Sequence, residues 1–160
     1  QALDPRAHSR SARRFVDLID RATDAEPVFF QQWPWDWGHP AYENPRADVS
    51  SPKDMLERTQ RTMKTLSNYG RVAPIAEAWW GVMQDSGRDI QLHYPDGNHA
   101  KMAGAYLTAW ALYAAIFGDV SGLQAGELYR PETLSPENAV YLARQANRVV
   151  SESVGAKAAE

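Results

Sequence analysis

Two short apolar runs constrain this 160-residue chain more than any other feature. Val28-Phe29-Phe30-Gln31 and Val72-Ala73-Pro74-Ile75 lack the apolar–polar alternation of a strand with one wet face. Each therefore reads as a short strand buried on both sides, as in a parallel sheet. The stretches around them have helical spacing. Ser11 is placed to cap a helix in which Phe15, Leu18, Ile19 and Ala22 share an apolar face, and Glu26-Pro27 breaks it. Ser51-Pro52-Lys53-Asp54 combines a cap, a proline at the first turn and an acid at the positive end. Met55, Thr59, Met63 and Leu66 mark the inner face of the helix it opens, and Gly70 is placed to end it. A short helix over Ala76–Gln84 follows the second strand, and Ile90–His93 reads as a third, very short strand. Helices over Ala100–Phe117 and Pro136–Ser151 fill the last third, with Tyr106, Trp110 and Tyr113 expected in the core. Strands alternating with helices indicate an α/β fold with a parallel sheet. Two or three strands do not make a self-sufficient sheet covered on both faces, so a further piece is expected to complete it.

Bulk properties narrow the function classes. A formal net charge of −3 leaves no electrostatic footprint for nucleic acid, and no basic run suits a membrane surface. The absence of cysteine removes disulfides and thiolate metal sites. Met102–Phe117, the longest apolar run, is shorter than the roughly 20 residues a bilayer span needs.

Two clusters carry chemistry. Leu92-His93-Tyr94-Pro95-Asp96-Gly97-Asn98-His99 sets a carboxylate three residues before an imidazole, on a tight turn that feeds a helix. His99 is the candidate general base, and Asp96 the group that fixes its tautomer and steadies the imidazolium. Trp33-Pro34-Trp35-Asp36-Trp37-Gly38-His39 places three of the six tryptophans within one loop directly after a strand. In parallel sheets the ligand crevice lies beyond the carboxyl ends of the strands. Trp33, Trp35, Trp37 and His39 are therefore candidate substrate-binding residues, with Trp35 and Trp37 favoured over Trp33, and exposed indole faces suit sugar rings or an acyl chain. His93, Asp96 and His99, with Asp36 and His39, also form a conceivable metal set, but their spacing matches no ligand signature. Gly118-Asp119-Val120-Ser121 follows a helix rather than a strand, so it reads as a helix-terminal glycine and loop.

The stretch from Pro95 through Leu107, with D-x-x-H followed by a small-residue helix, resembles the last conserved block of the SGNH (GDSL-like) hydrolases. Arg71 to Trp79 is similar to the step before that block, and Leu134-Ser135-Pro136-Glu137 to the opening of the closing helix. The resemblance covers Phe15 to Val150. It implies a flavodoxin-like three-layer architecture of which this chain is the C-terminal part, with 1–154 in the domain and 155–160 a tail. It also implies ester hydrolysis through an acyl-serine intermediate, without metal or organic cofactor. The family's nucleophile lies in a G-D-S-like turn with oxyanion-hole Gly and Asn donors after it, and none of these blocks is visible here. With the chain opening on Gln1, the serine is expected on an upstream N-terminal half or a partner chain. O-acylated carbohydrate is the expected substrate class. The competing expectations are a non-catalytic carbohydrate-binding module and a metal-dependent hydrolase built on His93, Asp96 and His99.

Overall fold

A computed structural model describes residues 5–118 and 129–158. Its elements run α1 (Pro5–Ala22), β1 (Val28–Phe30), a 3-10 turn (Pro40–Glu43), α2 (Pro52–Leu66), β2 (Arg71–Ala73), α3 (Ile75–Met83), α4 (Met102–Phe117) and α5 (Pro136–Ala158). The protein is thus mixed α/β and mostly helical. β1 and β2 pair in parallel, Val28 opposite Arg71 and Phe30 opposite Ala73.

The strands separate two apolar clusters. Phe29 and Val72 pack with Ala12, Met63 and Leu66 of α1 and α2. Ala73 belongs instead to the main core, with Ile75 and Trp79 of α3, Leu107 and Ala111 of α4, and Leu142 and Ala146 of α5. Successive strand residues point to opposite faces; Ala73 of β2 is fully buried, whereas Val28 and Phe30 of β1 are exposed, so β1 is not the doubly buried strand its apolar run predicts. On α1, Phe15 and Leu18 of the expected apolar face are 67% and 60% exposed, and the residues it buries are Ala12 and Val16.

Local signals explain most boundaries. Ser51 caps α2, its hydroxyl accepting from Asp54 N at 3.1 Å, and Met55, Thr59, Met63 and Leu66 are all buried. Ser135 caps α5 in the same way, accepting from Asn138 N at 3.2 Å. Gly118 follows α4 with φ 88°, the left-handed backbone a glycine adopts at no steric cost.

Several expectations need correction. α1 begins at Pro5, so Ser11 lies inside it rather than capping it. Gly70 does not end α2, which stops at Leu66; a Cβ on Gly70 would lie 2.4 Å from Pro27 O, so it permits the close approach that starts the strand pairing. Ile90–His93 is not a third strand; His93 makes a single bridge with Ala100. Tyr106 is in the core, but Tyr113 is 44% exposed. α5 continues past Ser151 into the segment expected as a tail.

α4 approaches α3 through Gly104, where a Cβ would come within 2.5 Å of both Leu92 O and Trp79 Cη2. Neither a backbone carbonyl nor a buried indole yields easily. Gly104→Ala is therefore expected to destabilise the fold by about 1–3 kcal/mol through overpacking, read as a lower urea midpoint at unchanged slope.

Candidate active site

The dyad is built within one turn. Asp96 Oδ1 accepts from the amides of Asn98 at 2.9 Å and His99 at 3.0 Å, and its Oδ2 lies 2.6 Å from His99 Nδ1. Gly97, at φ 68°, turns the chain between them, and Tyr94 N bonds His99 O to close the loop. These contacts, led by the Asn98 amide, hold the Asp96 carboxyl far below its usual range. An ionised carboxylate only accepts, so the proton between the two groups sits on His99 Nδ1. In the neutral ring this tautomer leaves the lone pair on Nε2, the form a general base requires. The His99 side chain is 75% exposed. No described residue hydrogen-bonds its Nε2.

The tryptophan loop docks onto this turn through three hydrogen bonds. Trp33 Nε1 donates to Asn98 O at 3.0 Å, the Asp36 amide donates to Gly97 O at 2.8 Å, and His93 Nε2 meets Pro34 O at 3.0 Å. The two clusters that stand out in the sequence therefore lie against each other.

The tryptophans divide by role. Trp33 stacks on buried Trp79, ring centroids 4.7 Å apart and planes 7° off parallel, so it is held in packing. Trp35 stacks on His39 at 4.5 Å, and Tyr42 donates its hydroxyl to Trp35 O. Burial and the nearby Asp36 carboxylate push the Tyr42 hydroxyl above its usual range. Trp37 is 56% exposed. It stands beside a cleft of about 320 Å³ whose walls include Asp36, His39, Tyr94, Asp96 and Lys101. His39 is turned into its own backbone, Nδ1 accepting from Ala41 N at 3.2 Å.

Tyr94 and Lys101 are cleft residues that sequence reasoning missed. Their only sequence signal is a position flanking the D-x-x-H block. A larger groove of about 800 Å³, lined by Met63, Val72, Ala114 and Val150 among others, shares no residue with the dyad or the tryptophan loop.

The metal set does not assemble. His93 is buried with Nε2 on a carbonyl, while His99 projects into solvent. Among the described residues no group of three or more His, Cys, Asp and Glu side chains is placed to hold an ion. Ser121 lies outside the described residues.

No protein-family model matches the chain, and no protein in the curated comparison matches it. Among solved structures it is similar to a DUF4886 family protein from Bacteroides uniformis ATCC 8492, with a TM-score of 0.69 at 14% sequence identity. The match covers 93% of this chain and 57% of that one, so the chain spans little more than half of that protein's length. At this identity the likeness concerns the fold alone.

Two outcomes are expected from this geometry. Carbon-detected NMR titration should find the Asp96 carboxyl ionised after other carboxyls have protonated, and His99→Ala should move its midpoint back up. Because the folded value is depressed, its stabilisation is complete above the ordinary carboxyl range and is lost as pH falls through the folded value. Trp33→Ala should lower stability by about 3 kcal/mol in urea unfolding, while Trp37→Ala should leave it within about 0.5 kcal/mol.

Proposed function

We propose that this chain is the D-x-x-H-bearing part of an SGNH-like serine ester hydrolase with a flavodoxin-like three-layer domain. The observation that carries this reading is the Asp96–His99 pair: Nδ1 is committed to the carboxylate at 2.6 Å, and Nε2 faces outward. In this reading Nε2 takes the proton from a serine hydroxyl as its oxygen attacks the ester carbonyl. The resulting imidazolium, steadied by Asp96, gives that proton to the departing alcohol, leaving an acyl-serine. Water, deprotonated by the same nitrogen, then releases the acid and regenerates the serine.

The serine is supplied by an upstream half of the same enzyme or by a partner chain. The uncovered strand supports this: β1 has β2 as its sheet neighbour among the described residues, and its own Val28 and Phe30 are exposed. Two-stranded sheets are marginal, and further strands with their helices would bury these side chains. O-acylated carbohydrate is the substrate class that the cleft suits best. Exposed Trp37 and Tyr94 offer ring faces to a sugar, and Asp36 and Lys101 offer partners to its hydroxyls.

The same aromatic cleft also suits a carbohydrate-binding module without turnover. Fluorophosphonate labelling of the native preparation, with mapping of the tagged peptide, separates the two. A serine labelled on upstream or partner sequence, with labelling and ester turnover falling about 10³-fold or more in His99→Ala, is the expected result. Glycan binding without labelling in a complete, folded sample would favour the binding module. A tag on Ser121 would move the nucleophile into this chain.

A further inference from the structure

The mechanism proposed above leaves one buried imidazole without a part. The His93 side chain is 2% exposed and sits where the tryptophan loop meets the dyad turn. Its Nε2 lies 3.0 Å from Pro34 O. A carbonyl only accepts, so Nε2 carries the proton and Nδ1 of the neutral ring has none to give. That bare nitrogen faces Asp36 Oδ1 at 4.0 Å, and Asp36 Oδ1 instead accepts from the Trp37 amide at 2.8 Å.

We propose that His93 is a pH-dependent positioning residue of the cleft. When neutral, it anchors the tryptophan loop through Pro34 and leaves Asp36 on Trp37. When protonated, it draws Asp36 off the Trp37 amide toward the core and reshapes the wall that Asp36 and Trp37 form. The link to turnover rests on the hydrolase reading, whereas the switch itself rests on these contacts alone.

The surroundings of His93 define both states. Asp36 faces it from the tryptophan loop, Asp96 from its own turn, and His39 from the start of the 3-10 segment. From α3 it meets the uncharged ring of Trp79 nearly edge-on, centroids 4.8 Å apart. Burial is the strongest influence and disfavours the charged ring; Pro34 O and the two carboxylates oppose burial, and His39 adds to it. The balance lies on the neutral side, so the change belongs to the acid side of the ordinary imidazole pKa of roughly 6.5. Stability due to the neutral ring is complete above that value and is lost as pH falls through the depressed folded one.

Long-range ¹⁵N NMR on the full chain, titrated from pH 8 to 4.5, tests this directly. The expected pattern is a proton on Nε2 and a bare Nδ1 at high pH, with the Trp37 amide shifting at the His93 midpoint. His93→Gln retains a donor for Pro34 but cannot titrate. It should keep exchange protection of the Trp33 indole within about threefold and abolish the Trp37 response. His93→Phe removes the donor, and protection of the Trp33 indole and Asp36 amide should fall at least tenfold at unchanged helical circular dichroism. A proton on Nδ1 in the neutral wild type, or a Trp37 response that survives in His93→Gln, would overturn the proposal. If neither variant folds, the wild-type tautomer and the shared midpoint still decide it. None of these readouts uses turnover, so failure of the hydrolase reading would be recognised separately.

Discussion

The candidate site rests on Trp79. This side chain is fully buried on α3, its indole nitrogen donates to Thr108 Oγ1 at 2.9 Å, and α4 comes close to it because residue 104 has no side chain. Trp33 stacks on one side of the ring and His93 meets it edge-on. The tryptophan loop and the dyad turn are therefore both laid against one core side chain, and hydrogen bonds between them fix the register. Dispersion and burial hold the layers together, and the polar contacts select one arrangement among those that packing would tolerate. The cleft is the polar rim of a hydrophobic stack.

Three imidazoles belong to these two segments, and each is set by a different partner. His39 accepts from a backbone amide through Nδ1, His93 donates to a carbonyl through Nε2, and His99 donates to a carboxylate through Nδ1. Of the three, the His93 side chain is 2% exposed and that of His99 75%. Identical chemistry in the free amino acid is thus divided into a loop cap, an internal fastener and a solvent-exposed imidazole held by a carboxylate. The feature that distinguishes them is which atom stands opposite each ring, not distance along the chain.

The elements best read from sequence are those whose signals are local. Ser51 and Pro52 mark the start of α2, Gly118 marks the end of α4, and the spacing of Met55, Thr59, Met63 and Leu66 identifies a buried face. The Asp96–His99 pair is legible for the same reason, since its contacts span three residues. What was not legible depends on distant partners. Gly70 and Gly104 read as breakers or small residues, yet each is required by another segment pressed against it. Trp33, Trp35 and Trp37 look alike in sequence; their different roles follow from Trp79, His39 and the open cleft. His93 stood out only as a possible ligand because its true partner, Pro34 O, is a backbone atom with no sequence signature.

The local closure of the dyad turn has a consequence for how the site comes into being. Asp96 and His99 join across three residues, whereas the bonds from His93 to Pro34 and from Trp33 to Asn98 span 59 and 65. Closing a long loop carries an entropic cost that a short turn avoids, so the turn can take shape well ahead of its docking. A newly made or heat-stressed chain can therefore carry a correctly oriented imidazole beside a cleft that does not yet exist. Damage to the distant core can therefore undo the docking of the tryptophan loop while leaving the Asp96–His99 contact whole.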